Sequence, residues 1–157
     1  MVSFTIRKLA GPLAFGPAGI KVVGRTRVRS MPIEYKIDAS QQTVQITCHG
    51  EVTAQDIFQV RGRLQSDPRF HTDFSALIET SGLARFGVSW DLLNGLRHED
   101  PFSGKSRRAV VAPASLAFGL ARMYQGLRRD PNFAVFRTVD EAREWIQFGN
   151  HRDQPGG

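Results

Sequence analysis

A single α/β domain is predicted, with a mixed, mostly parallel sheet of about five strands and about four helices. Three observations predict it. Two cleanly alternating runs joined by a short polar turn open the domain. Short apolar runs then alternate with amphipathic segments of helical period. Finally, cap and stop signals separate the two kinds of segment.

"IEYKID" places Ile33, Tyr35 and Ile37 on one face and Glu34, Lys36 and Asp38 on the other. "TVQITCH" repeats the pattern with Val44, Ile46 and Cys48 inward, so the pair reads as an antiparallel hairpin with one wet face. Cys48 on the apolar face is expected to be a small buried hydrophobe, and His49 a solvated histidine on the wet face. Thr53 and Asp56 form a capping-box pattern that opens a helix carrying Ile57, Val60 and Leu64, and Asp67-Pro68 ends it. "SALIET" (75–80) is a short apolar strand, followed by a loop over 80–89. "SWDLLNGLRHE" (89–99) is helical, with Leu92, Leu93 and Leu96 on one side.

"RRAVVAP" reads as a strand covered on both faces, and Pro113 as the first residue of a longer helix. The inward stripe of that helix is expected to be Leu116, Leu120, Met123, Tyr124 and Leu127. On a second face Phe118 and Arg122 lie one turn apart, the composition of an interface anchor or of an aromatic covered by an arginine stem. Arg128 and Arg129 read as C-terminal helix charges. "FAVF" (133–136) is the last strand. "TVDEAREWI" is the last helix, with a Thr138–Glu141 cap and Ala142, Trp145 and Ile146 inward. The domain is expected over 32–149, with 150–157 a frayed end.

Net charge is +6 at neutral pH, and the whole excess lies in residues 1–33, which hold six basic side chains and no acidic one. Basicity therefore belongs to a tail, residues 1–31, whose "AGPLAFGPAG" breaks any helix. The tail reads as a basic arm for nucleic acid or anionic membrane, as a targeting segment, or as upstream sequence with Met31 the true start. Nucleic acid is expected as a partner only if the tail belongs to the protein. No apolar run approaches the ~20 residues of a membrane span. Cys48 is the single cysteine, which excludes an intramolecular disulfide and favours a reducing, cytoplasmic setting.

Three chemical motifs are approached and not completed. "EDPFSGKS" ends like a phosphate-binding loop, but Glu99 stands at the first glycine position, and the loop runs from helix to strand rather than strand to helix. "GVSWD" resembles a nucleophile elbow, with Trp90 and Asp91 crowding the place where small residues are needed. His49, His71, His98 and His151 have no metal-ligand spacing. Neither a catalytic residue, nor a cofactor, nor a metal site is expected.

The hairpin, the "GEVTAQD" lead into the first helix, "ALIETSGL", and "VFRTVDEAREWI" at the end together resemble a STAS-type domain, the fold of anti-sigma-factor antagonists and SpoIIAA-like bacterial proteins. The resemblance covers residues 33–148. It implies a non-enzymatic regulatory module whose partner is a protein such as a kinase or an anti-sigma-type regulator. It also implies a phosphorylated serine at the start of the second helix, and Ser89 is the topological match. Val88 stands where the family carries aspartate. A contact surface of Thr80, Ser81, Ser89, Trp90, Phe118 and Arg122 is therefore expected, with Ser89 either a phosphoswitch or simply a helix cap. The alternative is a small lipid or apolar-ligand binder whose cleft between helices and sheet is lined by Phe86, Trp90, Phe102 and Phe118.

Overall fold

The computed structural model describes residues 31–152, with side chains as far as Phe148. The basic segment expected over 1–31, apart from Met31, lies outside the described residues, as does the end from 153 to 157. In chain order the elements are β1 (Ile33–Asp38), β2 (Thr43–Thr53), α1 (Ala54–Ser66), β3 (Ser75–Gly87), α2 (Trp90–Leu96) with a 3-10 turn (Arg97–Glu99), β4 (Arg108–Val111), α3 (Ser115–Arg128), β5 (Phe133–Phe136) and α4 (Val139–Arg152). The five strands lie in the order β1-β2-β3-β4-β5. β1 and β2 are antiparallel, and the remaining pairs are parallel. The expected α/β class and opening hairpin are both present.

The strand order dictates where the helices go. Each parallel connection joins neighbouring strands in the same direction, and right-handed crossovers then put α1, α2 and α3 on one face. Only α4, which follows the last strand, reaches the other. There Leu77, Ala109 and Val111 of the sheet pack with Ala142 and Ile146, and Phe136, Val139 and Trp145 close the layer. On the three-helix face Ile33, Val52 and Val60 form one cluster, and Val110, Ala112, Phe133 and Val135 form another.

The capping box at Thr53 is complete: its hydroxyl accepts from the Asp56 N–H, and the Asp56 carboxylate accepts from the Thr53 N–H at 2.8 Å. The Tyr35 hydroxyl donates to Asp67 at 3.0 Å and ties β1 to the end of α1. Thr138 accepts from the Glu141 N–H at 3.3 Å.

Four expectations need correction. β3 does not stop at Thr80 but runs to Gly87 alongside β2, through register shifts between Thr47 and His49 and between Gly50 and Glu51. Gly50 takes φ 56, and a Cβ on Gly82 would lie 3.2 Å from the Cys48 carbonyl. "SGL" is thus a strand passing an irregularity that needs glycine, not a loop. α3 starts at Ser115 after an Ala114 cap, two residues past Pro113.

The face that α3 presents also differs from the expected stripe. Ala117, Phe118, Ala121 and Tyr124 pack on the sheet, whereas Leu116 is 79% exposed and Met123 58%. Two apolar stripes, offset by one residue, share the helical period, and polar anchors choose between them. Gln125 donates to the Phe133 carbonyl at 3.1 Å, and Arg128 pairs with Asp130. With that rotation Tyr124 of the expected stripe stays inward, Leu120 lies at the cavity, and Leu116 and Met123 turn outward. Lastly, α4 continues past Gly149 to Arg152.

Candidate functional site, an apolar cavity under three helices

The three-helix face is underfilled. α2 is seven residues long and buries none of them. α3 contributes alanines where it crosses Ile78 and Val110. Between helices and sheet a cavity of about 310 Å³ remains, at the small end of ordinary ligand sites. Its floor includes Ile46, Cys48, Ile78 and Val110, and its roof includes Ile57, Leu93, Leu96 and Ala121. Burial pushes the Cys48 thiol up to about 11, so it stays a protonated, unreactive part of the floor.

One end of this apolar space is charged. Arg108 projects from β4 and is buried, bonding Asp100 through Nη1 and Asp130 through Nη2, the latter at 2.6 Å. Arg128 lies against the same two carboxylates at 3.1 Å each. Its guanidinium stacks 5.2 Å from the Phe133 ring centre. Burial raises the Asp130 pKa, but bonds from the Asn132 N–H and Arg128, with the Arg108 charge, outweigh it and hold the carboxyl below its ordinary value. Arg61 of α1 reaches the cavity beside this network and donates to the Glu99 carbonyl through Nη2.

The residues expected at a contact surface lie on β3, at the start of α2 and on α3. Thr80 lines the cavity, and its hydroxyl donates to the Val111 carbonyl at 2.8 Å. Ser81 is exposed on β3. Ser89 caps α2, accepting from the Leu92 N–H at 3.3 Å, and Trp90 beside it is 41% exposed. Phe118 is half-buried against the β4–β5 cluster, and Arg137 rather than Arg122 covers its ring, at 4.1 Å. Arg122 is exposed. Of the four aromatics expected around a cleft, Phe86 and Phe102 line the cavity, while Trp90 and Phe118 do not.

Sequence reading missed Arg61, Asp100, Arg108, Arg128 and Asp130. A signal was present for two of them. Arg108 begins an apolar strand read as covered on both faces, where a charge needs a buried partner. Arg61 follows Ile57 by four residues and so shares the inward face of α1. Asp100 and Asp130 carry no comparable mark, because acidic residues in loops usually face water.

A five-stranded sheet in this order, with an antiparallel first pair, three helices on one face and the last helix on the other, is a SpoIIAA-like fold. Among solved structures, an uncharacterised DUF3478-family protein from Shewanella loihica PV-4 with a SpoIIAA-like fold is similar at 23% identity and a TM-score of 0.52. The match covers 75% of this chain and 96% of that one. The anti-sigma factor antagonist SpoIIAA in its unphosphorylated form is similar at 15% identity and a TM-score of 0.49, over 73% of this chain and 97% of that one. The first likeness carries the fold; the second is too distant to add to it. No protein-family model and no curated protein matches the sequence.

Proposed function

We propose that this protein is a non-catalytic binding module that takes a small apolar molecule into the cavity beneath α1, α2 and α3. The observation that carries this reading is the cavity itself, about 310 Å³ of apolar space under helices that leave it unfilled. The reactive-type side chains along it are engaged elsewhere: Thr80 bonds Val111, and the Cys48 thiol is held protonated by burial. Both facts favour binding over chemistry. The test is solvent extraction of the purified full chain followed by mass spectrometry, paired with Ala121→Phe, whose ring would fill the space. An apolar molecule recovered from wild type and lost from Ala121→Phe is the expected result. Recovery of nothing from wild type, with no uptake of added apolar probes, would overturn the reading.

A second reading, a regulatory module that contacts a protein such as a kinase or an anti-sigma-type regulator, is favoured by one surface observation. Trp90, Leu116 and Met123 are large apolar side chains left in contact with water. Ser89, exposed at the start of α2, would be its modified residue. Intact-mass measurement of the native protein tests it. A phosphate adduct that disappears in Ser89→Ala supports it, and an unmodified Ser89 under varied growth conditions counts against it.

A further inference from the structure

α3 turns an apolar line toward water. Leu116, Leu120 and Met123 stand at intervals of four and three, one row along the helix, and are 79%, 38% and 58% exposed. Gly119 and Gly126 lie beside that row, and a Cβ on either would meet nothing within 4 Å, so among the described residues nothing covers the helix there. From Pro113 to Arg129 the charged side chains are Arg122, Arg128 and Arg129, with no acidic residue. Arg128 is spent on Asp100 and Asp130 inside the fold, whereas Arg122 and Arg129 are exposed. The outward side of α3 is therefore apolar along its length, with positive charge at its flank and at its end.

We propose that α3 is a docking helix for an anionic bilayer surface, with Leu116, Leu120 and Met123 in the acyl boundary and Arg122 and Arg129 on lipid phosphates. Size and charge select this occupant. A stable protein interface uses roughly 20–30 residues a side, whereas this row offers three side chains. A bilayer needs no complementary shape and gains from each apolar side chain it takes up. A second copy of the chain would add the same two positive charges, while anionic headgroups complement them. The inner side of the helix fits the assignment. Ala117, Leu120 and Ala121 line the cavity, so α3 is the wall between that space and the docked surface. Docking puts the cavity one helix away from the phase in which apolar molecules are concentrated. It does not require the cavity to be occupied, and it competes with the protein-contact reading above for Leu116 and Met123.

Flotation of the full chain with vesicles of phosphatidylcholine, alone or mixed with phosphatidylglycerol, tests the docking. Binding to the mixed vesicles about tenfold tighter than to phosphatidylcholine alone is the expected result. The six basic side chains of residues 1–33 also attract anionic lipid, so the share of α3 is read from variants of the full chain. Leu116→Ser combined with Met123→Ser, both at exposed positions, should weaken binding to mixed vesicles about tenfold or more with the melting temperature unchanged. Arg122→Gln should weaken it about fivefold. Leu116→Trp gives a direct readout: against the emission of Trp90 and Trp145 in wild type, its emission should shift to the blue on vesicles as the indole leaves water. Undiminished binding in the double serine variant would assign the affinity to the basic segment and overturn the proposal. Vesicle-bound Leu116→Trp without a blue shift would overturn it too. Absence of wild-type binding to either vesicle would do the same and leave the stripe to a protein partner.

Discussion

The two faces of the sheet are built on opposite principles. Behind it, one long helix lays Ala142 and Ile146 on Leu77, Ala109 and Val111, and Trp145 seals the edge, with its ring 5.6 Å from Phe136 and the Arg107 guanidinium 4.5 Å away. In front, three helices share the face, and the middle one buries nothing. The back face is a packed layer, and the front face encloses space and buries charge.

Cutting that network should produce the largest effect. Arg108→Met leaves Arg128 as the one guanidinium on Asp100 and Asp130, and loss of one partner from a buried charge cluster costs about 3–5 kcal/mol. Chemical denaturation should show it as a lower midpoint with an unchanged slope. A truncation pair then tests the difference in packing. Ile146→Ala opens a void in the filled layer and should cost about 3 kcal/mol, whereas Leu96→Ala enlarges space already present and should cost about 1 kcal/mol. Equal losses in the two variants would mean that the faces are packed alike.

Adding volume reverses the comparison on a smaller scale. Ala142→Leu overfills the back layer and should destabilise by about 1–3 kcal/mol, while Ala121→Leu on the front has room and should stay within about 1 kcal/mol of wild type in the same unfolding measurement. Ser89→Ala, which removes only the α2 cap, should lower stability by about 1 kcal/mol.

The smallest effect is the acid dependence of the front-face network. Asp130 is held below its ordinary value in the folded state, so its contribution is present above the normal carboxylate range and is lost as pH falls through the depressed folded value. Unfolding midpoints measured through the acid range should fall less steeply with decreasing pH in Asp130→Asn than in wild type.

Much of this was legible along the chain. The hairpin faces were visible because alternation has a period of two, and a one-residue error would have put Val44 and Ile46 in water. The Thr53 cap was visible because its partner, Asp56, lies three residues away. The face of α3 was not legible: two stripes fit one period, and the choice rests on Gln125 reaching Phe133 and on Arg128 reaching Asp130 across the fold. The strand from Thr80 to Gly87 looked like a loop because Ser81-Gly82 is locally a breaker, and only its pairing with β2 makes it a strand.

The sequence by itself determined the order of the elements, the class of fold and the cap at Thr53, because these depend on interactions between near neighbours. The tertiary structure decided that three helices share one face, that a cavity is left there, and that Arg108 and Arg128 meet Asp100 and Asp130 at its end. Those features depend on side chains from α1, β4 and α3 converging at one place, and the geometry of that convergence comes from the handedness of the crossovers and the rotation of each helix.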